Sequence, residues 1–173
     1  EPIQGESGIN PCTASYLEAV QALCDEHDLL YILDEVQTGN GRTGLYFSFQ
    51  HSSIQPDVLT TAKGLGNGFP VGACLIGGRA IDVMQPGHHG STFGGSPLAS
   101  AAGLAVNQAI HDENLMQNAQ QQGNKIRTAL QDNLADMSGF KEVRGLGLML
   151  GIELSIPCGE LVNLAREKGL LIT

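Results

Sequence analysis

Lys63 is the residue of this chain whose surroundings best suit covalent chemistry. It stands alone in a run of small, apolar and turn-forming residues that spans residues 57–70. An apolar setting disfavours the charged ammonium form of a lysine, so the amine can be kept neutral. A neutral amine attacks carbonyl carbons and forms Schiff bases. The sequence therefore predicts that Lys63 is a Schiff-base nucleophile.

A pair of acids, Asp34 and Glu35, ends an apolar segment upstream of the lysine. The carboxyl end of a buried strand is where α/β folds bind ligands, and a carboxylate there can pair with a protonated ring nitrogen. A Schiff-base lysine and an acid at the pyridinium nitrogen are the protein partners of pyridoxal phosphate. The two together indicate this cofactor, although an acid after a strand can equally be a loop residue that faces water.

Neighbouring residues offer further contacts to such a cofactor. Val36 has an apolar surface on which a flat ring could lie, and core packing would explain it as well. The Gln37 amide can hydrogen-bond a phenolic oxygen. In residues 90–95, the hydroxyls of Ser91 and Thr92 and the backbone N–H groups can hold a phosphate. This last signal is weak by itself, since loops of serine, threonine and glycine are common.

Two charged residues close to these motifs have plainer interpretations. Glu6 follows a Gln-Gly pair and is expected in a solvated turn. Arg42 lies in a second glycine-rich loop and is expected to pair with an acid across that loop. The glycine run at Lys63 could also bind a nucleotide phosphate. It matches neither standard phosphate-loop pattern, so a non-catalytic phosphate-binding module is the lower-ranked alternative.

The elements that must position these residues alternate between strand and helix. The spacing Ser15-x-x-Glu18 suits a helix N-terminus. Helices are predicted at residues 15–27, 97–110, 113–135 and 160–168, and strands at 29–33, 58–61, 71–76, 143–154 and 170–173. This order is typical of an α/β protein with a mainly parallel sheet, in which the apolar strand 29–33 is covered on both faces. A change of composition near Ile110 predicts a domain boundary there.

Composition excludes several classes of protein. The chain has 173 residues, of which 42% are hydrophobic, and a net charge of −9 with no cluster of Lys or Arg. Binding to nucleic acid or to an anionic membrane is therefore not expected. The four scattered cysteines predict buried free thiols in a cytoplasmic protein. Because the chain begins without Met and stops in an apolar run, we expect an internal piece of a longer polypeptide.

Taken in order, these motifs resemble those of the class III pyridoxal-phosphate-dependent aminotransferases. The matching stretches are residues 1–6, 34–44, 56–63 and 89–99. The resemblance implies fold type I, with residues 1–110 in the large cofactor-binding domain and residues 111–173 at the start of a small α+β C-terminal domain. Within the class, residues 142–148 and the sequence around Thr92 look most like acetylornithine and succinylornithine aminotransferases of arginine metabolism.

The resemblance also implies a role for each site residue. Lys63 would carry the cofactor and move a proton between substrate and cofactor carbons, and Asp34 would keep the pyridine nitrogen protonated. Gln37 would bond the ring phenol oxygen and Val36 would pack on the ring, with Glu35 in the same cofactor-binding motif. Three further residues would act around the substrate and across subunits: Glu6 pairing with a gating arginine, Ser91 close to the substrate, and Thr92 binding the cofactor phosphate of the neighbouring subunit in a homodimer.

The implied reaction moves the terminal amino group of N-acetylornithine or N-succinylornithine to 2-oxoglutarate, giving the semialdehyde and glutamate. Another ω-aminotransferase activity, on ornithine or 4-aminobutyrate, stays open. The family's N-terminal phosphate loop and its two substrate-binding arginines have no counterpart in these 173 residues. We therefore expect the isolated chain to be inactive.

Overall fold

The chain contains both strands and helices, as the sequence predicts, but they do not alternate strictly. The computed structural model describes residues 1–6 and 8–173, so Ser7 lies outside the described residues. In chain order the elements are β1 (Ile3–Gln4), β2 (Asn10–Pro11), α1 (Ala14–Glu26), β3 (Ile32–Asp34), β4 (Val58–Thr61), β5 (Ala73–Ile76), α2 (Pro97–Asp112), α3 (Leu115–Leu134), β6 (Phe140–Leu146), β7 (Met149–Leu154) and α4 (Gly159–Glu167).

Strands β3, β4 and β5 form one sheet, with β4 in the middle. Strands β3 and β4 are parallel, and Asp34 lies opposite Thr60. Strands β4 and β5 are antiparallel, and Thr61 lies opposite Ala73. The predicted α/β class is confirmed, and this three-stranded sheet is mixed. Because β3 and β4 run in the same direction, their carboxyl ends meet at one edge of the sheet.

The core lies under one face of this sheet. Leu17 of α1 packs with Tyr31, Leu33 and Ile54. Successive residues of a strand point to opposite faces, so Leu33 is 4% exposed while its neighbour Ile32 is 58% exposed. The expectation that this strand is covered on both faces is therefore wrong for the described residues, which cover only the α1 side.

Two other predicted elements differ from the structure. Residues 143–154 are not one strand, because β6 and β7 form an antiparallel hairpin in which Leu146 lies opposite Met149. Gly147 makes the turn with a φ of +54°, a conformation that L side chains rarely adopt. Residues 170–173 form no strand. The predicted boundary near Ile110 falls in the last turns of α2 and stays a prediction.

Helix α1 begins one residue before its predicted start, because the cap is Thr13. The Thr13 hydroxyl accepts a hydrogen bond from the backbone N–H of Tyr16 at 3.2 Å. Such a bond satisfies one of the N–H groups that the first turn of a helix leaves without a partner. The Ser-x-x-Glu pattern two residues later thus lies inside the first turn and does not define the helix start.

An ion pair between the buried Asp57 and the exposed Arg79 lies beside β3 and β4. The Asp57 carboxylate accepts hydrogen bonds from the backbone N–H groups of Tyr31 and Arg79, both at 2.9 Å. It also accepts one from the Arg79 guanidinium at 2.9 Å. The Arg79 side chain is the main cause that lowers the pKa of Asp57 to about 2. Asp57 is thus ionised at neutral pH. It directly precedes β4 and binds the backbone of Tyr31, which directly precedes β3.

The four cysteines are free thiols. Cys12 and Cys24 are half-buried, but Cys74 and Cys158 are exposed, so the expectation of buried thiols is wrong for the latter two. No helix in the described part of the chain is both long and apolar enough to cross a bilayer. Residues 1–6 and 8–173 also contain no group of metal-binding side chains.

Helix α3 packs against the tip of the β6–β7 hairpin through glycine. A Cβ atom at Gly123 would overlap the carbonyl oxygen of Gly147. The hairpin tip in turn touches the loop after β3, since Leu148 N–H donates to the Arg42 carbonyl at 3.0 Å. Gly123 is therefore the residue that lets α3 approach the hairpin, although glycine is a poor helix former.

Replacing Gly123 by alanine should destabilise the full-length protein although alanine is the better helix former. Alanine favours a helix interior over glycine by about 1 kcal/mol. The overlap with the Gly147 carbonyl requires backbone movement, and overpacking costs about 1–3 kcal/mol. Because the added Cβ would lie only 1.9 Å from a backbone oxygen, we expect a cost at the upper end of this range, which exceeds the helix gain. Gly159→Ala is the matched control, because a Cβ at Gly159, the first residue of α4, meets no atom within 4 Å. Urea unfolding of both variants measures the difference, and equal midpoints would contradict the packing argument.

Candidate active site

Asp34 and Lys63 lie at the carboxyl ends of neighbouring parallel strands. Strand β3 ends at Asp34, and the next residue, Glu35, donates its backbone N–H to the Thr60 carbonyl of β4 at 2.9 Å. Strand β4 ends at Thr61, two residues before the lysine. Neighbouring parallel strands thus deliver an acid and an amine to the same side of the sheet, the location at which α/β sheets bind ligands.

Lys63 adopts an unusual backbone conformation. Its φ is +45°, in the left-handed region that costs an L residue about 1–2 kcal/mol. A short 3₁₀ turn, Lys63–Leu65, follows, closed by a hydrogen bond of 2.9 Å from Leu65 N–H to the Ala62 carbonyl. Strain of this kind persists only where the surroundings enforce it, and it is concentrated at functional sites.

The setting of the lysine side chain differs from the sequence expectation. Lys63 is exposed in this chain, so the described residues do not provide the apolar burial that the sequence suggested. Its amine makes no hydrogen bond or ion pair with the described residues. The amine is therefore free to react with a ligand, and any burial must come from a bound molecule or from other parts of the full-length protein.

A cleft of about 630 Å³ opens beside Lys63. Val36 and Gln37 from the end of β3 line it, together with Leu148 and Leu150 from the β6–β7 hairpin. The volume lies in the range of pockets for small molecules and cofactors. The structure therefore brings three of the predicted site residues, Lys63, Val36 and Gln37, to one cavity.

One oxygen of the Asp34 carboxylate accepts a hydrogen bond from the protein, and the other does not. Oδ1 accepts a hydrogen bond from the backbone N–H of Val36 at 2.9 Å. Oδ2 makes no hydrogen bond within the described residues, and the side chain is exposed. An ionised carboxylate with a free oxygen is an acceptor for a protonated ring nitrogen. The chemistry of these donors and acceptors fits pyridoxal phosphate.

Gln37 connects this site to Glu6. Its Nε2 donates to Glu6 Oε1 at 3.2 Å, which leaves the second N–H of the amide for a ligand. A Cβ at Gly5 would lie 2.5 Å from Gln37 Oε1, so a larger residue there would require the Gln37 amide to move. Glu6 is exposed, and it is a hydrogen-bond partner of Gln37 as well as a turn residue. Sequence reasoning missed the contact of Gly5 with Gln37.

Glu35 differs from the other residues of its motif. Its side chain is fully buried, and the carboxylate accepts hydrogen bonds from Ser48 N–H at 2.8 Å and Phe49 N–H at 2.7 Å. The Thr38 hydroxyl donates to it as well. With its acceptors used inside the protein, Glu35 has no side-chain oxygen to offer a ligand. The expectation that it binds the cofactor is corrected: Glu35 holds the loop after β3 in place.

The loop before α2 does not join this cleft. Ser91 and Thr92 are exposed and line no cavity with Lys63. Their roles, close to the substrate and at the cofactor phosphate of a neighbouring subunit, stay predictions. Arg42 does line the cleft, and its guanidinium pairs with no acid of the described residues. The expected ion pair across its loop is therefore wrong.

The hairpin tip is a part of the site that sequence reasoning missed. Leu148, Met149 and Leu150 all line the cleft, more than 80 residues beyond the lysine. The apolar character of this segment predicts only a strand, and its approach to Lys63 depends on the close contact between α3 and Gly147. Only the tertiary packing shows that the hairpin forms a wall of the cavity.

Comparison with known proteins gives one consistent family. The sequence profile of the family described as Aminotransferase class-III matches residues 1–173. Acetylornithine aminotransferase 1 of Bordetella bronchiseptica is 54% identical over 172 residues, covering 99% of this chain and 44% of that protein. Acetylornithine aminotransferase of Nitrosomonas europaea is 48% identical with the same coverage. The chain thus spans less than half the length of these relatives.

Solved structures agree with this result. An ornithine aminotransferase from Plasmodium yoelii superposes with a TM-score of 0.91 at 35% identity, covering 99% of this chain and 47% of that one. An acetylornithine aminotransferase from Elizabethkingia anophelis superposes with a TM-score of 0.89 at 38% identity, covering 98% of this chain and 44% of that one. The likeness extends over almost the entire chain and includes the edge of the sheet that carries Asp34 and Lys63.

Proposed function

The chain belongs to the class III aminotransferase family, and from this premise we propose that its full-length protein is a pyridoxal-phosphate-dependent transaminase. The observation that carries the proposal is that Asp34 and the segment leading into Lys63 lie at the carboxyl ends of two neighbouring parallel strands. Lys63 lines a cleft there together with Val36 and Gln37, the residues that follow Asp34 and Glu35, whereas Asp34 itself does not line it. A free amine and a free carboxylate oxygen at this edge match the two protein groups that the cofactor requires. No such pairing is needed by a module that only binds phosphate.

The residues of this chain would divide the work as follows. When bound, pyridoxal phosphate supplies an electron sink conjugated with the reacting carbon. The Lys63 amine would hold the cofactor and would serve as the base that moves a proton to or from that carbon. Asp34 Oδ2 would accept the ring N–H and favour a protonated nitrogen. Gln37 would donate its free N–H to the phenol oxygen, and Val36 would form an apolar surface for the ring.

For the substrate we propose N-acetylornithine or N-succinylornithine as amino donor and 2-oxoglutarate as acceptor. The support is the name that the curated relatives at 48–54% identity share, acetylornithine aminotransferase. Ornithine is the second candidate, since ornithine aminotransferases are among the structures that superpose well. We also propose that the protein is a cytoplasmic homodimer, in which Thr92 of each subunit binds the cofactor phosphate in the site of the other subunit.

Kinetics on the full-length protein test the substrate. With 2-oxoglutarate fixed, kcat/KM is measured for N-acetylornithine, N-succinylornithine, ornithine and 4-aminobutyrate. Polar groups built to bind an acyl amide are left without partners by an unacylated amine, so we expect kcat/KM to be at least about tenfold higher for an acylated ornithine. A preference for ornithine or 4-aminobutyrate would contradict the substrate proposal and leave the cofactor chemistry standing. Absence of transamination with all four donors would contradict the proposed function.

A further inference from the structure

Asn40, in the loop after β3, makes two hydrogen bonds to the segment that leads into Lys63. Its Nδ2 donates to the Thr61 hydroxyl at 3.0 Å and to the Ala62 carbonyl at 3.2 Å. Both hydrogens of the amide are thereby used. The two acceptors are the last residue of β4 and the residue directly before the lysine.

The bond to the Ala62 carbonyl acts directly on the backbone of Lys63. This carbonyl shares a rigid peptide plane with the backbone nitrogen of Lys63, so holding the plane constrains φ at the lysine. The carbonyl accepts a second bond from Leu65 N–H at 2.9 Å, which satisfies both of its lone pairs. Ala62 is extended, with φ −161°, and the chain changes at the next residue to the left-handed φ of +45° at Lys63. Asn40 is the side chain that holds the peptide between these two residues.

The surroundings of Asn40 are consistent with a fixed side chain. Its own φ is +57°, a conformation that asparagine tolerates better than most residues. The Tyr46 hydroxyl lies 3.4 Å from Asn40 Oδ1 and donates to Asn107 of α2, whose Nδ2 is bound to the Gly103 carbonyl at 2.9 Å. Burial raises the pKa of Tyr46, so its hydroxyl stays protonated and a donor at neutral pH. Asn40 also packs closely against Gly64, since a Cβ atom added at Gly64 would lie 3.1 Å from the Asn40 Cβ.

We propose that Asn40 is a positioning residue for Lys63: it fixes the Ala62–Lys63 peptide so that the lysine leaves the loop toward the cleft. Asn40 lines the same cleft, but its amide hydrogens are both used inside the protein. It therefore acts through the lysine and not as a ligand of the cofactor. The inference rests on the proposed function, because it assigns a role toward the amine that the function requires.

Asn40→Gly in the full-length protein tests the proposal. Glycine accepts the positive φ without strain, so the variant removes the hydrogen bonds and keeps the backbone conformation available. Two quantities are measured: amide hydrogen exchange in residues 59–69, and the rate at which pyridoxal phosphate with borohydride labels Lys63. The loss of a hydrogen bond in this setting should speed exchange about three- to tenfold and slow labelling by a similar factor. Exchange reports on the loop without any cofactor.

Asn67→Gly is the matched control. Asn67 has the same left-handed φ of +45° in the same loop, is exposed, and makes no side-chain hydrogen bond within the described residues. It should leave both rates at their wild-type values. Asn40→Asp, which keeps the shape but places an acceptor against the Ala62 carbonyl, should act at least as strongly as Asn40→Gly at neutral pH.

The outcomes separate this inference from the function on which it rests. Faster exchange confined to residues 59–69, with slower labelling, supports the proposal. Wild-type labelling of Lys63 in Asn40→Gly overturns it, and so does faster exchange spread equally to α1, because that result indicates only a general loss of stability. If the wild-type protein takes no label at Lys63, the proposed function itself fails.

Discussion

Replacing Lys63 by alanine is expected to abolish transamination by the full-length protein, with kcat lowered by at least about 10⁴-fold. The chain has four lysines, and Lys63 is the one that lines the cleft of the described residues. Lys141 is held in an ion pair with Glu153 at 2.8 Å, on the hairpin. None of the other three lysines, all within the described residues, lines this cleft.

The variant should fold normally, which makes the loss of activity informative. Alanine and lysine are both L residues with a Cβ, so the cost of the left-handed conformation is the same for each. The amine has no partner in the described residues whose loss would leave a buried group unsatisfied. The midpoint of thermal unfolding without cofactor should therefore change little.

Two further variants serve as controls. One tests whether the positive charge of Lys63 is sufficient for activity, and the other tests whether the loss of any lysine lowers it. Lys63→Arg keeps a positive charge but supplies a guanidinium that stays protonated and cannot act as a nucleophile, so it should be as inactive as Lys63→Ala. Lys125→Ala changes an exposed lysine of α3 and should have wild-type kcat. Borohydride reduction with pyridoxal phosphate, followed by peptide mapping, should label residue 63 in the wild type and in Lys125→Ala only. A label on Lys63→Ala at a neighbouring lysine, with activity retained, would refute the assignment.

Asp34 and Lys63 could be predicted as residues of one site because the signals for each are local. An apolar strand that ends in an acid and a glycine-rich loop that holds one lysine are both visible within about ten residues of sequence. Strand alternation also contains the information that distinguishes the two acids. Leu33 and Glu35, the residue directly after β3, are buried, whereas Asp34 between them is exposed. Alternation from the apolar Leu33 thus favours a buried, structural Glu35, an inference that the sequence analysis did not draw.

The remaining walls of the site depend on contacts between distant parts of the chain. The bond from Gln37 to Glu6 joins residues 31 positions apart, and the contact of Leu148 with the Arg42 carbonyl joins residues more than 100 positions apart. Neither leaves a periodic signal, since each is set by how whole elements pack. Arg42 shows the same limit: a loop arginine suggests an acid partner, but no local pattern tells whether one lies within reach.

Exchanging Asp34 for asparagine should lower kcat by about 10²- to 10⁴-fold while the protein still binds the cofactor. Asparagine has the same shape, and its Oδ1 can still accept the 2.9 Å bond from Val36 N–H. The free Oδ2, however, becomes an NH₂ group, which donates and cannot accept a ring N–H. The neutral amide also lacks the charge that favours a protonated ring nitrogen. The ring then withdraws electrons less strongly, so the proton transfer performed by Lys63 becomes slow.

The measurement must divide activity by bound cofactor, because a weakened site could also lose activity by losing the cofactor. We expect the dissociation constant for pyridoxal phosphate to rise by about 10- to 100-fold, the cost of one charge-assisted hydrogen bond. Asp132→Asn, an exposed exchange on α3, controls for the change of net charge and should leave both quantities unaltered. Wild-type kcat per bound cofactor in Asp34→Asn would show that Asp34 is an ordinary loop acid. In that case the carboxylate that holds the ring nitrogen must come from elsewhere, and the meeting of β3 and β4 would position the lysine alone.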